Sequence, residues 1–175
     1  MTISAIPENN FPKARFGPVY LSATIEKIFK RLPVELYCSS LKGDASDRSY
    51  FRVSLRNKID HKIPQSLIIM QIKEPIPEKE TDFTRILKFL RKLNLPAPEL
   101  FYYDVSMGLL FLEDCGVVTL EDQIKIFPQN KTKLYRQAVA LLFDMQTQAT
   151  RAIDSTCPAY HLKFDVEKLI WEFNF

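Results

Sequence analysis

The chain has 175 residues and carries 24 Lys and Arg against 21 Asp and Glu, a net charge of +3. With 46% hydrophobic and 26% charged residues it is too apolar for a disordered segment and ordinary for a folded one. Its charges are interspersed rather than gathered into a basic stripe, so neither a nucleic acid nor an anionic membrane is expected as a partner.

Residues 1–19, with Pro7, Pro12 and Pro18 and little periodicity, are expected to form an irregular arm. From Tyr20 to Leu32 the residues Leu21, Ile25, Ile28, Phe29 and Leu32 fall on one helical face, and Pro33 ends the pattern. "ELYCSSL" then reads as a strand, and "SYFRVSL" as a second, with Tyr50, Arg52 and Ser54 facing opposite to Phe51, Val53 and Leu55. "GDASDR" joins them as an oversized hairpin loop. "SLIIMQI" is apolar on both faces, as a central strand buried on both sides would be.

After the break at Pro75 and Pro77, Phe83, Ile86, Leu87, Leu90 and Leu93 repeat at helical spacing opposite Arg85, Lys88 and Lys92, which predicts an amphipathic helix over 79–93 packed on the sheet. "ELFYYD" and "GLLFLED" flank the short turn "VSMG" and read as a fourth and fifth strand in a hairpin. Past Gly116 the pattern becomes helical. Thr119 is placed to cap a short helix, Leu134, Ala138, Leu141, Leu142 and Met145 stripe a longer one, and "DVEKLIWEFNF" begins another.

Cys38, Cys115 and Cys157 are odd in number, far apart and without metal-ligand or CxxC spacing, which favours reduced thiols. The first residues have neither a basic start nor an apolar core, and no apolar run approaches the roughly 20 residues of a membrane span. A cytoplasmic protein is expected.

The loop "GDASDR" has two readings. Gly43 and the small residues around it open several backbone N–H groups of the kind that suit phosphate oxygens, with Ser46, Ser49 and Arg48 adding donors. Equally, "GDAS" is a common way to turn a chain, and Asp44 and Asp47 repel phosphate unless they point elsewhere.

Strand, small-residue loop, two further strands, helix, hairpin, acidic linker and helices is the element order of the small lobe of a protein-kinase-like fold. "GDASDRSYFRV", "LIIMQ", "PEKE", "LNLPAPELFYYD" and "GLLFLEDCGVVTLED" resemble, in order, consecutive blocks of the aminoglycoside phosphotransferase-like kinases. The likeness is closest to their branch of bacterial N-acetylmuramate and N-acetylglucosamine anomeric kinases of cell-wall recycling.

The resemblance implies an α+β fold. A kinase-like small lobe over 20–113, a five-stranded antiparallel sheet with a packed helix, would be followed over 114–175 by the hinge and the first helices of an incomplete large lobe. It implies ATP, magnesium and a small-molecule acceptor, an amino sugar rather than an antibiotic or choline. Gly43, Asp44, Ala45, Ser46, Asp47, Arg48 and Ser49 match the loop that covers the nucleotide phosphates. Leu112, Glu113, Asp114 and Cys115 match the hinge, whose backbone hydrogen-bonds the adenine edge.

Two departures accompany the match. Met70 stands where protein kinases carry the strand lysine that holds the α- and β-phosphates, and Lys73 would lie on the other face of an extended strand. Glu78 and Glu80 are then candidates either for the helix glutamate or for simple first-turn acids. The HxDxxxxN catalytic loop and the second metal-binding aspartate are absent from the sequence. His61 lies in a polar loop, and His161, in "YHLKFD", has no aspartate two residues on.

The expectation is therefore an N-terminal nucleotide-binding portion of a phosphotransferase, without catalysis of its own and with magnesium ligands elsewhere. The rival expectation is a catalytically inactive, kinase-derived binding or regulatory module, with Phe143, Trp171, Phe173 and Phe175 on an open apolar surface. In either case exposed apolar area toward the C-terminus would favour self-association.

Overall fold

The structure, a computed structural model, describes residues 14–41, 48–56, 63–75, 80–163 and 165–173. It is α+β and divides into two compact units, one built from the chain up to Lys79 with Pro98–Gly116, the other from Glu80–Ala97 with Val117–Phe175.

The first unit holds α1 (Pro18–Phe29) and five strands: β1 (Glu35–Leu41), β2 (Arg48–Arg56), β3 (Ser66–Ile72), β4 (Leu100–Asp104) and β5 (Leu109–Glu113). They form one sheet in the order β1-β2-β3-β5-β4, every neighbouring pair antiparallel. The period-2 pattern sets the faces. Phe51, Val53 and Leu55 of β2, Leu67 and Ile69 of β3, and Leu109 and Phe111 of β5 all enter one buried cluster with Leu36 and Cys38 of β1.

The helix that shares this cluster is α1, through Leu21 and Ile25, both fully buried. Each contributes about 1.5 to 3 kcal/mol by leaving water. The helix expected over 79–93 is present as α2 (Asp82–Lys92) but groups with the second unit, so the packed helix of the sheet core is the first one. α1 starts at Pro18, taking the last two residues of the expected arm, because Pro is favoured at the first helical position after the Gly17 cap. It stops at Phe29, where Lys30 turns left-handed (φ 58°) and its N–H bonds the Glu26 carbonyl. Leu32, expected on the buried face, consequently lies beyond the helix and is exposed.

Residues 14–17 are not a loose arm. Phe16 is buried edge-on against Phe51, ring centroids 5.2 Å apart. Arg15 donates its backbone N–H to Gln71 Oε1 (2.8 Å), its Nη1 to the Met107 carbonyl (3.0 Å) and its Nη2 to the Lys73 carbonyl. From α1 the Tyr20 hydroxyl donates to Asp104 Oδ2 (2.6 Å), and Lys27 Nζ reaches the Tyr102 hydroxyl (2.9 Å). Burial first, and then the bond to Asp104, push the Tyr20 phenol well above its ordinary value, so it stays a donor.

In the second unit, Thr119 caps α3 (Leu120–Ile126) in a reciprocal box with Asp122. A 3₁₀ turn at Pro128–Asn130 leads into α4 (Lys131–Ala152), and α5 (Val166–Phe173) follows a second 3₁₀ turn at Pro158–His161. Arg85 of α2 donates to the Thr156 carbonyl at 2.5 Å. No described residue of α4 is buried, and Val139, Leu141, Leu142 and Phe143 are all exposed. Among the described residues no helix is long and apolar enough to cross a membrane.

Candidate functional site

The sheet face turned away from the Phe51 cluster is built in rows. Cross-strand partners point to the same side, so the register aligns Tyr50, Met70 and Leu110 in one row and Arg52, Ile68 and Leu112 in the next. Met70, Leu110 and Leu112 are buried, and Tyr50, Ile68 and Arg52 are half-buried. The result is an apolar platform with polar groups at both ends: Arg48 opposite Ile72 at one, Ser54 opposite Ser66 at the other.

The polar end at the exit of β5 is the best-organised part. Asp114, with its side chain only 5% exposed, accepts from Arg52 Nε at Oδ2 (2.7 Å) and from Arg52 Nη2 at Oδ1 (3.0 Å). Ser66 Oγ donates to Oδ2 (2.7 Å) and the Gly116 amide to Oδ1 (2.9 Å). Arg52 Nη2 also donates to the Gly116 carbonyl (3.0 Å). Burial pushes the Asp114 carboxyl up, and the bonds from Arg52, Ser66 and Gly116 outweigh it, leaving the carboxyl below its ordinary value and ionised. One carboxylate thus ties the linker to β2 and β3.

Glu113 is fastened as well: its amide donates to the Glu99 carbonyl (2.8 Å), and its Oε2 accepts from the Glu99 amide (2.9 Å). Cys115 is exposed; burial of its sulfur and the neighbouring Glu113 and Asp114 raise its thiol, which stays protonated.

Of the residues expected to bind nucleotide, Met70 and Leu112 share the platform, and Glu113, Asp114 and Cys115 continue from its edge. Arg48 and Ser49 belong to β2, opposite Ile72 and Gln71, rather than to the loop before it. Gly43, Asp44, Ala45, Ser46 and Asp47 lie outside the described residues, as do Glu78 and His61. Glu80 pairs with Lys88 Nζ at 2.5 Å in the second unit, and His161 packs edge-on against the Tyr160 ring. Asp114 was expected to serve through its backbone; its side chain is the more informative part. Arg52 and Ser66 were missed, although an arginine between Phe51 and Val53 in mid-strand was a usable signal.

Among the described residues no three His, Cys, Asp or Glu side chains come together. No family model and no curated protein matches the chain.

Proposed function

We propose that the chain is the nucleotide-binding part of an ATP-dependent phosphotransferase with a protein-kinase-like small lobe, acting in its complete form on a small-molecule acceptor, an amino sugar by the resemblance noted above. The observation that carries this reading is the platform of Tyr50, Met70 and Leu110 beside Arg52, Ile68 and Leu112, which ends at a linker fixed by Asp114. A flat purine needs an apolar face for its rings and an extended, immobile backbone for its edge. Both kinds of group are present, with Tyr50, Ile68 and Arg52 as the accessible residues of the platform, while Met70, Leu110 and Leu112 are buried. The reading gives the phosphates to the β1–β2 connection and its flanks, and it gives acceptor binding and the catalytic groups to sequence with the HxDxxxxN motif, which this chain lacks. The chain alone is therefore expected to bind adenine nucleotides weakly and to turn none over.

The test uses methionine methyl groups labelled with ¹³C, of which the chain has four. ATP should shift the Met70 methyl signal, assigned through Met70→Leu, and leave Met145 in α4 unmoved. An unmoved Met70 signal at millimolar ATP overturns the reading.

The exposed apolar side chains of the second unit favour one alternative, a binding module without catalysis. Phe143 is 63% and Trp171 62% exposed, which are costly groups to leave in water. Such a module would keep the fold and show no response at Met70.

A further inference from the structure

β2 begins where β3 ends. Arg48 opens β2 directly opposite Ile72, the last residue of β3, and strand parity puts both on the platform side with Tyr50 and Met70. Continued extension would send Lys73 to the opposite face. Instead the strand ends, the chain bends at Lys73 and Glu74, and Arg48, Ile72, Lys73 and Glu74 line one hollow of about 260 Å³. The bend is held by the protein itself: the Ile72 amide donates to the Gly108 carbonyl (2.9 Å), and Arg15 grips the Lys73 carbonyl. Among the described residues, two cationic and one acidic residue thus line the hollow at the end of the apolar platform. The hollow is smaller than the roughly 300 to 1,000 Å³ of sites that enclose a whole ligand, which suits a phosphate tail better than a base.

We propose that Arg48 and Lys73, brought to one hollow by the bend after β3, are the phosphate-binding pair of this nucleotide site and supply the charge that Met70 does not. The assignment rests on the function proposed above and adds the residues that read the phosphates. Arg48 presents a planar fork to phosphate oxygens and Lys73 a point charge, the usual division between these two side chains. Both are exposed, so neither is needed for the core.

The full chain is titrated with adenosine, ADP, ATP and inorganic tripolyphosphate at low salt, the adenine compounds followed at the Met70 methyl signal and tripolyphosphate by calorimetry. Affinity should rise with phosphate number. Arg48→Gln and Lys73→Met should each weaken ATP about tenfold, as expected for one hydrogen bond to a charged group, and leave adenosine unchanged. Arg48→Lys should fall between. Thermal unfolding of each variant confirms that it folds, and loss of the salt dependence of ATP binding in the double variant gives a second readout. If both variants keep the wild-type ratio of ATP to adenosine affinity, the pair is wrong and the adenine platform stands. If no adenine compound binds the wild type, the functional reading fails and the assignment with it. Tripolyphosphate binding without adenosine binding marks a plain anion site and overturns the nucleotide assignment.

Discussion

Arg52 closes on Asp114 with two hydrogen bonds of 2.7 and 3.0 Å across 62 residues of sequence. The pair does for the linker what a disulfide does for a loop: it fixes where the chain leaves the sheet. Asp114→Asn keeps the shape and removes the charge, leaving Arg52, 22% exposed, without its counterion. The expected loss is about 3 kcal/mol in urea unfolding, near the lower end for breaking a buried pair because water still reaches Arg52. Ser66→Ala removes one bond and should lose about 1 kcal/mol. Equal midpoints for wild type and Asp114→Asn would show the clamp to be ornamental.

Acid should release the same clamp. Asp114 and Asp104 are both held below their ordinary carboxyl values: for each, burial raises the carboxyl and hydrogen bonds more than compensate. A depressed folded value means that the unfolded chain binds the proton more readily. The stabilisation is therefore complete above the unfolded value of about 3.9 and disappears as pH falls through the lower folded values. Urea midpoints measured downward from pH 7 should stay level to about pH 5 and then drop. Asp114→Asn should drop less steeply, and an identical acid limb in the variant would contradict the assignment.

Among the described glycines Gly108 is the least able to change. Its φ is +64°, and a Cβ there would stand 2.7 Å from Pro75 Cβ. Gly108→Ala combines left-handed strain with that clash and should cost about 2 kcal/mol or more, measured by denaturant midpoint. Gly116, at φ +97°, has nothing within 4 Å of an added Cβ, so Gly116→Ala should lose only the strain, about 1 kcal/mol. Equal losses in the two variants would mean that the Pro75 contact relaxes away.

Amide exchange should separate α4 from the sheet. β3 carries Leu67, Ile69, Met70 and Gln71 as buried residues, and α4 carries none among those described. In a dilute sample β3 amides should exchange about a hundredfold more slowly than those of Val139 to Met145. Equal protection that persists on dilution would show that α4 is as firmly held as the sheet.

Much of the sheet was legible in the sequence because alternation is a local signal. β1 runs over Glu35–Leu41 as the pattern requires, β3 over Ser66–Ile72, and Phe51, Val53 and Leu55 take the buried side. The misses share a cause. Leu32 fitted a helical face, but the left-handed Lys30 had already ended the helix. Lys73 was expected on the far face of an extended strand, but β3 ends at Ile72 and the chain bends at Lys73 and Glu74, so alternation does not carry to that residue. Arg52 and Asp114 meet only through the order β2-β3-β5, which no local period encodes. Tertiary register decides such pairs, and the platform became visible only when the rows were aligned.

The attachment of the first described residues also sets a schedule for synthesis. Arg15 waits 92 residues for the Met107 carbonyl, and Tyr20 waits 84 for Asp104. At about 5 to 20 residues per second, roughly 5 to 20 s pass between the emergence of α1 from the ribosome and that of the last strands it docks on. Until its end Leu21 and Ile25 lack the Leu109 and Phe111 part of their cluster. Nascent chains arrested before β5 should be cut by protease within α1, and chains long enough to expose Leu109–Glu113 should resist. Residues 15–25 are thus made well before the last of their partners and are fixed only when these arrive.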